Sequence, residues 1–156
     1  MSASHKLDLK LHKKTDTAQR VATMNGNIVL VPMSVFERLG PIDSVYSHGI
    51  GDIDYGLRAG MIGIGVIAAV GVHGVCESHD AITTWTNPEV PLATRWRVLH
   101  TPLGMPPREW LHFVRLHAGW RWPISFLKIY LRVAAPSCSI SLNRLRRKVQ
   151  FRKSPA

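Results

Sequence analysis

Apolar positions along this chain fall into short runs, and each run predicts an element. Leu7, Leu9 and Leu11 alternate strictly within an otherwise polar lead-in and suit a short edge strand. Asn27-Ile-Val-Leu-Val-Pro32 is a β-branched run ended by proline, which predicts a buried strand. Directly after it, Ser34 and Glu37 have capping-box spacing. Val35, Phe36 and Leu39 supply the apolar face of a short helix, and Gly40-Pro41 stops it. Gly51-Asp-Ile-Asp-Tyr-Gly-Leu-Arg58 predicts another helix, with Asp52 or Asp54 capping its positive end. Ile53 and Leu57 then face the core together, while Asp54 and Arg58 lie four apart on another face and can pair. Ile64 to Val70 reads as a second buried strand. The order strand, helix, acidic loop, helix, strand is an α/β pattern.

Beyond Cys76 the pattern changes. Glu77-Ser-His-Asp80 leads into a Pro/Thr/Trp stretch that runs to about Thr101 and predicts an extended connection. Pro106-Pro107 opens a helix near 107–118, with Glu109 in its first turn and Gly119 beyond its last. Trp110, Phe113 and Val114 fall at i, i+3 and i+4 there, and Arg108, His112 and Arg115 share another face. A further helix over 123–135 has Ile124, Leu127 and Leu131 on one stripe, with Lys128 and Arg132 outside it. The chain thus divides into a poorly ordered lead-in over 1–21, an α/β part over 22–80, a Trp/Arg-rich extension over 81–135 and a basic tail over 136–156.

Composition narrows the class. A length of 156 residues has room for one domain, and 46% apolar with 19% charged residues argues against wholesale disorder and against collagen-like or low-complexity chains. The net charge of +10 is unevenly placed: residues 1–94 carry 7 Lys/Arg against 9 Asp/Glu, and residues 95–156 carry 13 against 1. All five tryptophans lie between residues 85 and 122. A basic, Trp-rich end brings two partners into view, nucleic acid and an anionic membrane surface. Cys76 and Cys138 belong to no CxxC or Cys/His spacing, so neither a disulfide framework nor a structural zinc site is indicated, and Cys76 reads as a small buried residue. The N-terminus has no apolar segment of secretory type, and the uncharged stretch from Ala59 to Val72 is short and holds four glycines. A cytoplasmic location follows as the expectation.

Carboxylates, glycines and a histidine converge at one place, the junction of His48, Asp52 and Asp54. A general base needs a carboxylate held rigidly yet open to substrate, and a capped helix start supplies that. The plainer reading is two helix caps with a surface salt bridge to Arg58. Asp-x-Asp spacing alone is weak support for a metal.

Three ordered segments alter that balance: Met24-Asn-Gly-Asn-Ile-Val-Leu-Val-Pro32, Val35-Phe-Glu-Arg-Leu-Gly40 and Gly51-Asp-Ile-Asp-Tyr-Gly-Leu-Arg-Ala59. Together they resemble the second half of family 2 glycosyltransferases. The resemblance covers about residues 22–80. The stretch from Arg95 to Arg132, with Gly104-Met-Pro-Pro-Arg-Glu-Trp110, looks like that family's variable acceptor-side extension.

The resemblance implies a partial GT-A fold and inverting transfer of a sugar from a nucleotide diphosphate to an acceptor hydroxyl. On it, Asp52 is the base and Asp54 and Arg58 support the helix that presents it. Asn25, Gly26 and Asn27 lie beside the donor sugar, with His48 also at the substrate. The implied partners are a nucleotide-sugar donor and a glycan or lipid-linked acceptor, for a cell-envelope polysaccharide. A divalent cation, Mg or Mn, is implied for the complete enzyme.

Departures from the family pattern are equally specific. A GT-A enzyme begins with a nucleotide-binding half and a metal-binding Asp-x-Asp, and nothing in residues 1–22 corresponds to either. The chain reads as a C-terminal portion whose main metal ligands lie elsewhere, with no expected activity alone. Gly51 stands where many members carry Glu, and Gly60 weakens its helix by about 1 kcal/mol. His73, with His79 and Asp80, is a weak metal candidate, since a lone histidine at a strand end is more often structural. Trp110, Trp120 and Trp122 suit core and interface packing better than a sugar platform. The alternative to an enzyme is a non-enzymatic basic module. Nucleic acid is the weaker partner for it, because Arg and Trp follow helical spacing without a recognition motif. The helix at 123–135 and the basic run at 144–148 instead suit peripheral contact with the inner membrane face.

Overall fold

The computed structural model describes residues 16–75 and 85–134. Leu7, Leu9, Leu11, Cys76, His79, Asp80, Cys138 and the 144–148 run lie outside the described residues. Within them the chain is mixed: helices with one two-stranded antiparallel sheet.

Strand β1 (Gln19–Val21) pairs with β2 (Val66–Ala68), Gln19 opposite Ala68 and Val21 opposite Val66. Neither strand is the one expected at residues 27–32. That segment lies between residues 26 and 33 without a strand partner among the described residues, and Ile28 and Leu30 are 68% and 91% exposed. Its β-branched residues favour extended backbone, but burial requires a neighbouring strand that local sequence does not supply. The predicted strand at 64–70 shrinks to the three residues of β2, with Ile67 exposed. A sheet of two strands leaves each strand an open edge, so neither is buried on all sides.

Helix α1 (Met33–Leu39) forms where expected and stops at Gly40, whose φ of 75° suits glycine. Its capping box does not form: Pro32 is the N-cap and no side chain caps the helix. Helix α2 (Gly51–Met61) follows with both aspartates in its first turn, and Ile50 is its N-cap. The extended connection expected before Thr101 contains a helix instead, α3 (Leu92–Leu99), opened by Pro91. Pro91 together with apolar residues at 92, 96 and 99 was the available signal.

Helix α4 (Pro107–His117) has proline at its start, Glu109 in its first turn, and Arg115 and His117 in its last, as its dipole favours. A short 3-10 turn (Gly119–Arg121) joins it to α5 (Trp122–Ala134). The loop from α3 to α4 is tight. A β-carbon at Gly104 would run into the Val98 and Leu99 carbonyl groups, while the Met105 N–H donates to the Leu99 carbonyl at 2.7 Å.

Two apolar clusters form the core. Ile50, Phe113, Val114 and Ala118 make the first, with Ile53 and Leu57 of α2 packed against it as their spacing predicted. Leu99, Ile129 and Val133 make the second, and Met105 and Trp110 pack against both. The Trp110 indole N–H donates to the Phe126 carbonyl at 3.4 Å. The stripe of Ile124, Leu127 and Leu131 on α5 faces outward, with exposures of 58%, 57% and 67%. This helix is apolar on two sides, and the Ile129/Val133 side is the one that packs. Trp110 and Trp122 join the core while Trp120 is 73% exposed. Among the described residues no helix is long and apolar enough to cross a membrane.

Candidate functional site

The start of α2 is a junction of three segments. Asp52 Oδ2 accepts the Gly26 N–H at 2.5 Å and Oδ1 accepts the Ile53 N–H at 2.7 Å. Two backbone donors therefore fix this carboxylate, and its lone pairs retain room for a further donor. A second tie runs parallel, from the Thr23 hydroxyl to the Ile53 carbonyl at 2.7 Å. The Asn25-Gly26-Asn27 turn and the acidic helix start, separate in sequence, thus meet at one point. The Asn27 N–H donates to Asn25 Oδ1 at 3.2 Å, which shapes the turn, and both asparagine side chains are exposed. A β-carbon at Gly26 would lie 3.2 Å from Asp52 Cβ and Oδ2, so the close approach this glycine permits is to Asp52.

Asp52 and Gly26 open onto a cleft of about 480 Å³ whose other walls include Met24, Val29, Phe36 and Tyr55. Such a volume is in the range that holds small ligands. The walls are largely apolar, with the Asp52 carboxylate as the charged group among them.

Asp54 is placed differently from Asp52. Its side chain is fully buried and held from two sides: Arg58 Nε donates to Oδ2 at 2.7 Å, and His117 Nε2 donates to Oδ1 at 2.8 Å. The surface salt bridge expected from the sequence is thus a triad around a buried carboxylate, with Arg58 half-buried and His117 reaching across from α4. Burial pushes the Asp54 carboxyl up, but the hydrogen bonds from His117 and Arg58 outweigh it and hold it below its ordinary 3.8. Arg58 continues outward to the Leu39 and Pro41 carbonyls at 3.3 and 3.2 Å, which fixes the end of α1 to α2. Burial, and next the neighbouring Asp54 carboxylate, push the Tyr46 phenol above its ordinary value.

Sequence reasoning missed His117. Its signal was its place on α4, because 110, 113, 114 and 117 continue one apolar stripe, and a histidine on a buried stripe needs a polar partner. Glu109 was read only as a first-turn acid. It is 6% exposed and accepts from the Ser47 hydroxyl at 2.5 Å, tying α4 to the loop before α2.

His48 is exposed and is not among the residues that form the cleft. His73 is exposed too, and among the described residues no group of three or more His, Cys, Asp or Glu side chains gathers to hold a metal ion. Asp52 and Asp54 do not form a metal pair here, since Asp54 is consumed by Arg58 and His117.

Comparison of the chain with protein-family models, with curated proteins and with solved structures finds no match.

Proposed function

We propose that this chain is the acceptor-side part of an inverting glycosyltransferase similar to family 2, acting with a nucleotide-binding half of GT-A type. Asp52 is the base in this reading. Its carboxylate takes the proton of an acceptor hydroxyl, and the freed oxygen attacks the anomeric carbon of the donor. As the new carbon–oxygen bond forms, the bond to the nucleotide diphosphate breaks on the opposite face, inverting that carbon. Asp54 and Arg58, joined by His117, hold α2 so that Asp52 stays in the lining of the cleft.

One observation carries the reading: Asp52 is clamped to Gly26 in the lining of an open cleft, so two of the three resembling segments meet at one carboxylate. The apolar walls favour the lipid-linked acceptor over a bare glycan, because a hydrocarbon beside the reacting hydroxyl would bury against Met24, Val29 and Phe36.

The test is to express the chain with a nucleotide-binding half, measure donor turnover and compare Asp52→Asn. A general base contributes roughly 10²–10⁴-fold, so turnover is expected to fall by that order while the fold persists. Full activity in Asp52→Asn would remove it as base.

A further inference from the structure

Helix α5 is apolar on two nearly opposite sides. Ile129 and Val133 bury against α3 and α4, while Ile124, Leu127 and Leu131 stand in solvent, continued at the preceding turn by the 73%-exposed Trp120. At 100° per residue the three exposed aliphatics share a stripe roughly 60° wide, and Lys128 and Arg132 flank it along one edge. Arg121 lies over the Trp120 ring, 5.7 Å from its centroid, at the same end. No acidic residue occurs on α5, and the one carboxylate of residues 95–156, Glu109, is buried against Ser47.

From this arrangement we propose that the outer face of α5 docks on an anionic lipid bilayer, lying in the plane of the headgroups. Ile124, Leu127, Leu131 and Trp120 enter the boundary of the acyl region, and Lys128, Arg132 and Arg121 meet lipid phosphates. A helix of 13 residues is about 20 Å long, too short to span and long enough to lie flat. Charge complementarity selects this occupant. A second copy of the chain would bring Lys128 and Arg132 against their own kind with no carboxylate on either helix to answer them. A nucleic acid would use the cations and leave three aliphatic side chains in water. This docking stands independently of the transferase reading.

Flotation of the full chain with vesicles of phosphatidylcholine, alone or mixed with phosphatidylglycerol, tests it. The chain is expected to float with the mixed vesicles only, less so at high salt. The pair Leu127→Glu/Leu131→Glu and the pair Lys128→Glu/Arg132→Glu are each expected to lower the bound fraction at least about tenfold. All four side chains are exposed, and circular dichroism checks that both variants keep their helices. Failure of the wild type to float with anionic vesicles overturns the proposal, as does undiminished flotation of either folded variant. So does a dimer by sedimentation velocity that the leucine variant dissolves, since the face would then belong to a second copy.

Discussion

Asp54 shows how far one residue's role depends on its surroundings. Spacing paired it with Arg58, and that pair forms, but the third member, His117, comes from a helix 63 residues away. A buried carboxylate held by an arginine and a histidine N–H costs several kcal/mol to break from one side, because the donors are left unpaired. Asp54→Asn is therefore expected to lower stability at neutral pH by about 3 kcal/mol. The carboxyl is held below its ordinary 3.8 by its hydrogen bonds, so the folded state releases this proton more readily than the unfolded chain. Its stabilisation is present above pH 3.8 and is lost as pH falls below it. Urea unfolding followed from neutral pH down past pH 3.8 should show the wild type beginning to lose this increment and Asp54→Asn lacking it. Parallel curves for the two proteins would refute the role given to Asp54. Both aspartates were legible as first-turn residues of α2, but the bond from the Gly26 N–H to Asp52 was not, since nothing local links the turn to the helix.

Two glycines of α2 make opposite predictions at the scale of an element. A β-carbon at Gly56 would come within 2.5 Å of the Thr23 hydroxyl and 3.0 Å of the Met24 backbone nitrogen, whereas one at Gly60 meets nothing within 4 Å. Both replacements by alanine gain helix propensity of about 1 kcal/mol. At Gly60 nothing opposes that gain, so Gly60→Ala should raise the unfolding midpoint. At Gly56 the segment that carries Thr23 must move away, so Gly56→Ala should lower it. Thermal melts of the two variants decide this, and a rise in both would mean that α2 does not pack on residues 23–24 as described. Helices α1, α2, α4 and α5 were legible because proline and glycine mark their ends and the apolar spacing is helical. The face of α5 was not, since two stripes of similar apolarity compete and only the position of α4 chooses between them. Residues 27–32 failed as a buried strand for a related reason: pairing is a property of two segments.

At the scale of the molecule, the acidic and basic stretches are not separate bodies. Ile50, Ile53 and Leu57 share a core with Phe113, Val114 and Ala118, and the Asp54–His117 and Ser47–Glu109 bonds cross the same boundary. A chain ending at residue 90 keeps both strands and α2 but loses most of the buried apolar surface around them. It is expected to show no cooperative thermal transition by circular dichroism. A sharp transition in that fragment would establish residues 22–80 as a self-sufficient unit. The sequence by itself determined where most helices begin and end, which carboxylates stand at the start of α2, and that positive charge gathers after residue 94. These are consequences of bonds and spacing within a few residues of each other. Tertiary structure alone decided that Asp54 is buried while Asp52 opens on a cleft, that His117 completes the triad, and which side of α5 is left to solvent, because each depends on contacts between segments far apart along the chain.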